Sequence, residues 1–300
     1  MKRVGVVGAR GFVGAELLPM IERHPQLELA WVTSSSAVGE PVPAAPRLSF
    51  VAADPSRWDD VDVLVLALPN GQSAPWTLHA GDRLLVDLSA DHRFDADWVY
   101  AQPERFGARL PGARRLACPG CYATAAQLAI APFAAWLDAP PHVFGISGYS
   151  GAGATKSERN DPEVLRDNLL PYALVGHAHE RELSHHLGRA VYFMPHVAPF
   201  FRGLSTTVSM QLDRALALDA AREHLRAFYT GSNFVELLED APRPRDSVQR
   251  HDVRIGGVAV ADHHVVVVSA LDNLLAGAAS QALRATNLAL GFPESAGLTA

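Results

Sequence analysis

Apolar residues in the first two-fifths of the chain form short continuous runs separated by helical patterns. The runs Val4–Val7, Leu29–Thr33, Val61–Leu68 and Leu84–Leu88 predict buried strands, and Ala15–Arg23 predicts a helix between the first two. Strands that are apolar on both faces are typical of a parallel sheet covered by helices on each side. We therefore predict an α/β domain at the N-terminus.

The pattern changes in the second part of the chain, where several strands alternate apolar and polar side chains. Alternation of this kind is typical of an antiparallel sheet with one covered face. Helices are predicted at His179–Leu187, Asp219–Phe228 and Ala276–Leu290, the last stopped by Gly291 and Pro293. The predicted strands are Val143–Ser147, Val191–Met194, Leu204–Leu212, Val253–Val260 and Val265–Ala270, with a hairpin between the last two. A second, α+β domain with a mainly antiparallel sheet is expected.

Composition narrows the class of protein. The chain has 300 residues, of which 48% are hydrophobic and 19% charged, and its formal net charge is −6. An acidic balance without a run of Lys or Arg argues against a nucleic-acid or anionic-membrane partner. No apolar stretch has the length of a membrane span, and the N-terminus enters a strand without a signal-peptide core. We expect a cytoplasmic protein.

A glycine loop follows the first predicted strand. Gly8, Gly11 and Gly14 form G-x-x-G-x-x-G at the mouth of a helix. Glycine there allows a tight turn and a close approach of backbone to phosphate, and the helix N-terminus favours an anion. A simple glycine-rich turn is the alternative. The setting after a strand favours a dinucleotide site.

The end of the second predicted strand bears on the choice of cofactor. An NAD site usually carries an acidic residue there, but this chain has Ser34, Ser35 and Ser36. Hydroxyl groups tolerate the 2′-phosphate of NADP, and the side chain of Arg10 in the glycine loop could reach that phosphate. We predict NADP rather than NAD.

Cys121 is the candidate nucleophile. It follows Pro119 and Gly120 and precedes an apolar helical stretch, Ala125–Leu137. At a helix N-terminus the unpaired N–H groups and the helix dipole stabilise a thiolate, the reactive form of cysteine. A buried structural cysteine is an equal alternative for this residue by itself, and Cys118 at C-x-x-C spacing leaves a redox pair open.

Other polar segments supply candidate acid–base and anion-binding groups. Histidine is the natural proton partner of a thiolate, and His177, His179, His185, His186 and His196 are available. A metal site is not expected, because the H-E-x-x-H spacing is absent. Arg93 and Arg202 are candidates for gripping an anion, with structural ion pairs as an equal alternative.

Several motifs in this order resemble those of the N-acetyl-γ-glutamyl-phosphate reductase family, which is related to aspartate-semialdehyde dehydrogenase. The resemblance covers nearly the whole chain. The matching segments are the glycine loop Gly8–Gly14, D-L-S-A-D-x-R at Asp87–Arg93, P-G-C-Y at Pro119–Tyr122, S-G-x-S-G-A-G at Ser147–Gly153, H-x-x-E at His179–Glu182, P-H-x-x-P-x-x-R-G at Pro195–Gly203, and the D-N-L run Asp272–Gln281.

The resemblance implies an acyl-phosphate reductase in which a Cys121 thioester is reduced by NADPH and His179 moves protons. The implied cofactor-binding residues are Gly8, Arg10, Gly11, Phe12, Val13, Gly14, Ser34, Ser35, Ser36 and Asn273. The implied substrate-binding residues are Arg93, Ser147, Tyr149, Ser150, Gly151, His177 and Arg202. The chain departs from the family pattern at Cys118, Ala276 and Ser280, where asparagine, lysine and glycine are usual, and in having serine where many members have arginine after the second strand.

The same resemblance implies a division into a Rossmann domain, residues 1–120 with 276–300, and a catalytic and oligomerisation domain, residues 121–275. A homodimer or homotetramer is expected. Competing functions are the aminoadipyl-phosphate reductase of lysine biosynthesis, aspartate-semialdehyde dehydrogenase, a non-catalytic NADP-binding sensor and a C-x-x-C redox protein. The joint presence of Cys121 and His179 argues against the sensor.

Overall fold

The structure, a computed structural model, describes residues 1–56 and 60–298, and it divides the chain into two compact units. The first unit contains Met1–Pro119 and the chain from Ala278 onward. The second unit is Gly120–Gly277. The chain therefore leaves the first unit immediately before the candidate nucleophile and returns to it after Gly277.

The first unit is built on a parallel sheet. Its elements are β1 Lys2–Val7, α1 Phe12–Glu22, β2 Leu27–Val32, β3 Pro41–Val42, β4 Ala45–Ser49, β5 Val63–Leu66, α2 Ala74–Thr77, β6 Leu84–Asp87, β7 Val99–Tyr100, α3 Pro103–Phe106, β8 Arg115–Ala117 and, at the C-terminus, α8 Ser280–Leu290. Among the described residues, six strands form one sheet in the order β2-β1-β5-β6-β8-β7, with every pairing parallel. β3 and β4 form a separate antiparallel pair.

The direction in which the chain adds strands to this sheet reverses between β1 and β5, although the strands themselves stay parallel. The chain moves from β1 to β2 on one side and then returns to place β5 on the other. In open α/β sheets, ligands bind at the carboxyl ends of the strands beside such a switch point. The glycine loop begins at Gly8, directly after β1, so the sequence places it at this point.

The second unit, all of which the structure describes, is a sheet with helices on one face. Its elements are α4 Cys121–Ile130, β9 His142–Gly148, α5 Pro162–Leu165, β10 Leu170–Pro171, α6 Ala178–Leu187, β11 Tyr192–Ala198, β12 Leu204–Gln211, α7 Leu218–Phe228, β13 Val235–Leu237, β14 Val253–Ala261 and β15 His264–Leu271. The strand order is β10-β11-β9-β12-β15-β14-β13. Four pairings are antiparallel, and β11–β9 and β13–β14 are parallel.

Helices α4, α6 and α7 pack on one face of this sheet and bury its apolar side chains. α4 is the most buried, and its alanines allow a close approach to β12 and β15. Gly145 on β9 permits the approach as well, since a Cβ there would lie 2.6 Å from the ring of Tyr122. The start of α4 is thereby fixed by the core of the second unit.

Two predicted helices differ from the observed ones. The helix predicted at Ala125–Leu137 begins at Cys121 and ends at Ile130, and a 3₁₀ turn, Ala131–Trp136, follows. Pro132 lacks an N–H group and cannot continue the α-helical hydrogen bonds. The C-terminal helix starts with a π-helical turn, Leu275–Ala279, before α8. The short strands β3, β4, β7, β8, β10 and β13 were not predicted. No helix among the described residues is both long and apolar enough to cross a membrane.

Candidate active site

Cys121 is the first residue of α4, and its side chain is partly exposed. Gly120, the residue before it, has an extended backbone that directs the chain into the helix. The first turn of α4 contains no acidic residue. The N–H groups and the dipole at this helix end therefore favour the thiolate of Cys121.

A buried carboxylate on a neighbouring helix fixes the turn before the nucleophile. The N–H of Gly120 donates a hydrogen bond of 2.9 Å to Oε1 of Glu182 on α6. Only 1% of Glu182 is exposed. A hydrogen bond to a charged acceptor is stronger than one between neutral groups, so this contact holds the turn with little freedom.

Gly277 packs directly against the nucleophile. A Cβ atom at Gly277 would lie 2.6 Å from Cβ of Cys121, a distance that side chains do not adopt. Gly277 lies in the π-helical turn Leu275–Ala279, and its N–H donates to the carbonyl of Asp272. The turn therefore brings backbone, rather than a side chain, to the surface of Cys121.

His179 lies in a cluster of rings that includes Tyr122, the residue after the candidate nucleophile. Its ring centroid is 5.8 Å from that of Tyr122, the residue after Cys121, and 6.3 Å from that of Phe193. The hydroxyl of Tyr122 donates to the carbonyl of His196 at 2.8 Å. Burial raises the pKa of Tyr122 well above its ordinary value, so this side chain is a neutral hydrogen-bond donor.

His177 caps the helix that carries His179. Its Nδ1 accepts a hydrogen bond of 3.0 Å from the N–H of His179, and the two rings are 4.9 Å apart. Burial is the main cause that lowers the pKa of His177, and the charge of Arg159 adds to the effect. His177 is therefore held as a neutral imidazole whose Nδ1 is an acceptor. The side chain of His196 instead contacts the ring of Phe144 at 4.5 Å.

Cys118 is buried in the first unit, and 1% of it is exposed. Burial raises the pKa of its thiol, and the nearby Asp87 carboxylate raises it further. The Cys118 N–H donates to the carbonyl of Asp87 at 2.8 Å. Cys118 is therefore a protonated thiol, in contrast to the environment of Cys121.

The predicted substrate loop, Ser147–Gly151, is tied to the loop before β12. The N–H groups of Gly148, Tyr149 and Ser150 donate to backbone carbonyls of Gly203, Phe200 and Phe201 at 2.8 to 2.9 Å. The side chain of Asn273 joins the two loops, because it accepts from the N–H of Gly203 at 2.7 Å and donates to the hydroxyl of Ser150 at 2.9 Å. Asn273, predicted to bind cofactor, thus has its amide engaged within the second unit. Ser147 is 3% exposed and donates to the carbonyl of Gly148.

Both predicted anion-binding arginines have internal partners. Arg202 pairs with Asp272 through two nitrogen–oxygen distances of 2.9 and 3.0 Å, and the Asp272 side chain is fully buried. Arg93 donates to the carbonyls of Cys118 at 2.8 Å and Leu88 at 3.3 Å. The structural ion pair that the sequence left open is observed for Arg202, whereas Arg93 makes hydrogen bonds to backbone carbonyls, and substrate binding by either residue stays a prediction.

The glycine loop has the shape that a phosphate site needs. Gly8 has a positive φ of 77°, and its N–H donates to the hydroxyl of Thr33. A Cβ at Gly14 would lie 2.2 Å from the carbonyl oxygen of Ala9, so only glycine allows the loop to pack on α1. Gly11 caps α1, which begins with Phe12 and Val13.

The structure brings Arg10 and the predicted serines together. Nη1 of Arg10 donates to the hydroxyl of Ser36 at 2.9 Å, and both residues are exposed, as is Ser35. Ser34 is buried, and its hydroxyl accepts from the N–H groups of Ser36 and Ala37. Ser34 therefore shapes the turn, whereas Ser35, Ser36 and Arg10 form its exposed surface.

Comparison with known proteins places the chain in a family. Residues 3–111 match the semialdehyde dehydrogenase NAD binding domain, and residues 121–273 match the semialdehyde dehydrogenase dimerisation domain. The chain is 45% identical to the N-acetyl-gamma-glutamyl-phosphate reductase of Xanthomonas axonopodis pv. citri (strain 306), over 98% of this chain and 97% of that protein. It is 46% identical to the protein of the same name from Stenotrophomonas maltophilia (strain R551-3), over 97% and 96% of the two chains. The chain belongs to the N-acetyl-gamma-glutamyl-phosphate reductase family.

Solved structures agree on the fold. Aspartate semialdehyde dehydrogenase II from Vibrio cholerae, complexed with ASA, gives a TM-score of 0.79 at 18% identity, covering 96% of this chain and 98% of that one. Aspartate semialdehyde dehydrogenase from Francisella tularensis gives the same TM-score and identity. The predicted family and fold class are confirmed, including the parallel Rossmann sheet and the mostly antiparallel second sheet. Family membership also supports the predicted NADP-dependent reductase.

Several residues that shape the site were missed by the sequence analysis. In the sequence, Glu182 is marked only as a member of the H-x-x-E motif, and Gly277 only as a member of the C-terminal motif. Tyr172 and Arg159 carry no motif signal. Burial raises the pKa of the Tyr172 hydroxyl, and the charge of Cys121 adds to the effect. Contacts among loops far apart in sequence bring these residues to the site.

We expect Cys121→Ser to abolish nearly all turnover and Cys118→Ser to retain most of it. A hydroxyl is far less ionised than a thiol at neutral pH, and Cys118 is buried as a neutral thiol. Steady-state rates of the two purified variants test this, with thermal melts to verify folding. Equal loss of activity in two folded variants would instead support a C-x-x-C redox pair.

Proposed function

We propose that this protein reduces N-acetyl-γ-glutamyl phosphate to N-acetylglutamate semialdehyde with NADPH, through a thioester on Cys121. The observation that carries the proposal is Cys121 at the start of α4, with His179 in the adjoining ring cluster. A thiolate nucleophile with a neighbouring imidazole is suited to acyl transfer. The relatives named above carry the name of this activity.

The first chemical step uses the thiolate of Cys121. Its sulfur forms a bond to the acyl carbon, and the carbon–oxygen bond to phosphate breaks, so that phosphate leaves with the electron pair. The N–H groups in the first turn of α4 lack intrahelical acceptors and are suited to stabilising the oxyanion that forms. Glu182 keeps these groups in register by holding Gly120.

The remaining steps need a hydride and a proton. Bound NADPH supplies the hydride to the thioester carbonyl. His179 donates a proton to the oxygen of the tetrahedral adduct and accepts it again as the carbon–sulfur bond breaks, which releases the aldehyde and regenerates the thiolate. The Nδ1 of neighbouring His177 accepts from the backbone N–H of His179, so His177 caps the helix turn that carries the catalytic ring.

The first unit fits NADP in its shape and charge. Gly8 and Gly14 let the loop pack closely on the backbone of Ala67 and Ala9, and a Cβ at Gly11 would meet nothing within 4 Å, so the loop surface at Gly11 is open to a pyrophosphate. Arg10, joined to Ser36, supplies a cation with adjacent hydroxyls, as a 2′-phosphate requires. In the exposed part of this turn, Ser35 stands where an acidic residue would repel that phosphate.

The second unit is proposed to form the contact between subunits of a homodimer or homotetramer. The face of its sheet opposite α4 carries Phe144 and Tyr192, with 36% and 51% of their surfaces exposed. Large apolar side chains on an uncovered sheet face favour a protein partner. A second copy of the chain is the proposed occupant, since residues 121–273 match a dimerisation domain. Light scattering of the purified protein measures the number of copies.

The direct test of the function is NADPH oxidation with a series of acyl phosphates. We expect turnover with N-acetyl-γ-glutamyl phosphate, one phosphate released for each NADPH oxidised, and a far lower kcat/KM with aspartyl phosphate. The fall in NADPH absorbance measures NADPH oxidation, and a phosphate assay measures the phosphate released. A higher kcat/KM with aminoadipyl phosphate than with N-acetyl-γ-glutamyl phosphate would assign the aminoadipyl-phosphate reductase activity. A higher value with aspartyl phosphate would assign the aspartate-semialdehyde dehydrogenase activity.

We expect a higher kcat/KM with NADPH than with NADH, and we expect Ser35→Asp to shift the preference toward NADH. The introduced carboxylate would repel a 2′-phosphate but could accept hydrogen bonds from the ribose hydroxyls of NADH. Arg10→Leu should weaken the binding of NADPH more than that of NADH. Kinetics with both cofactors measure the ratio, and a wild-type ratio of one or below would contradict the assignment.

We expect His179→Asn to lower kcat by about 10²–10⁴-fold, the usual contribution of a positioned acid–base group. His177→Asn should be milder, because asparagine is itself a good helix N-cap and can replace the bond to the His179 N–H. NADPH binding by fluorescence and thermal melts show whether each variant is intact. A folded His179→Asn enzyme with near wild-type kcat would move the role to His177.

A further inference from the structure

The charges of the proposed substrate pose a question that the predicted residues do not answer. N-acetyl-γ-glutamyl phosphate carries a carboxylate as well as the acyl phosphate. Arg202 pairs with the buried Asp272, and Arg93 hydrogen bonds backbone carbonyls of the first unit. Both guanidinium groups thus have protein acceptors, and a further cation beside the ring cluster of His179 is a candidate for recognising the carboxylate.

Arg159 is presented by a loop with its own internal order. Ser157 and Asn160 form a reciprocal capping box around Arg159, in which the N–H of Ser157 donates to Asn160 Oδ1 at 2.8 Å. The side-chain nitrogen of Asn160 donates to the carbonyls of Gly153 and Thr155 at 2.8 and 2.7 Å. The backbone that carries Arg159 is therefore fixed relative to the end of the substrate loop.

The guanidinium of Arg159 lies over the ring of Tyr172, with its carbon 5.1 Å from the ring centroid. Tyr172 contacts His177 at 5.4 Å between centroids, and His177 contacts His179 at 4.9 Å. Burial is the main cause that lowers the pKa of His177 and raises that of Tyr172; the charge of Arg159 adds to the first shift and that of Cys121 to the second. The ring contacts thus place Arg159 at the cluster formed by Tyr172, His177 and His179.

Arg159 differs from Arg166, the other arginine on this segment. Arg166 pairs with Glu163 at 2.5 Å. Among the ion pairs of the described residues, Arg159 has no carboxylate partner, and its guanidinium lies over the ring of Tyr172. An exposed guanidinium held on an aromatic ring is preorganised for bidentate binding of a planar carboxylate.

We propose that Arg159 binds the carboxylate of the N-acetylglutamyl substrate and so determines which acyl phosphates are accepted. This rests on the proposed function. The leaving phosphate is attached to the carbon that Cys121 attacks, whereas the carboxylate lies at the other end of the glutamyl chain. Tyr172 and His177 separate Arg159 from His179 along the ring contacts, which favours the distant carboxylate as its partner.

Kinetics of Arg159→Gln in the full-length enzyme test the proposal. A charged hydrogen bond that is lost without structural change corresponds to an increase of about ten- to a hundredfold in KM for N-acetyl-γ-glutamyl phosphate. We expect kcat and the KM for NADPH to stay near wild type, and Arg159→Lys to recover part of the loss. Arg166→Gln, on the same exposed segment, is the matched control and should leave all constants unchanged.

The reverse reaction separates the two anionic groups. With N-acetylglutamate semialdehyde, inorganic phosphate and NADP as substrates, Arg159→Gln should raise KM for the aldehyde and leave KM for phosphate unchanged. A rise in KM for phosphate alone would assign Arg159 to the leaving group and overturn the proposal. Unchanged KM values for both the aldehyde and phosphate would overturn the proposal as well. Wild-type turnover is the separate check on the proposed function, and an inactive wild-type enzyme would refute both.

Discussion

The hydrogen bond from the N–H of Gly120 to the buried carboxylate of Glu182 is the constraint on which the catalytic unit depends. It joins the start of α4, where the nucleophile lies, to α6, where His179 lies one turn before Glu182. A buried carboxylate is costly unless it is hydrogen bonded, so the contact is strongly determined. This interaction thereby ties together the two helices that carry Cys121 and His179.

A second buried carboxylate organises the loops around this centre. Asp272, at the end of β15, accepts from Arg202 and from the N–H groups of Gln249 and Leu274. Asn273 continues the network to Gly203 and Ser150. Backbone groups in loops need partners when they are buried, and these two side chains supply them. Arg202 and Asn273, which the sequence predicted to bind ligands, therefore hold these loops together.

The two cysteines illustrate how environment divides one residue type into two roles. Cys118 is enclosed beside Asp87, where burial and a negative charge both oppose ionisation. Cys121, three positions later, begins a helix and remains partly exposed, where the helix end favours ionisation. Spacing alone made a redox pair possible, but the local electrostatic environments of the two thiols oppose it.

The sequence by itself determined the alternation of strands and helices, the glycine loop at the switch point, Cys121 at a helix start and the pairing of Arg10 with the serines of the next strand. These features depend on local periodicity and on neighbours in one βαβ unit. Only the tertiary structure decided that Arg93 and Arg202 have internal partners, that His177 is a cap, that Glu182 holds the turn before Cys121, and that Arg159 lies over the ring of Tyr172. Their positions depend on contacts between loops and helices distant along the chain, and no local pattern of residues encodes such contacts.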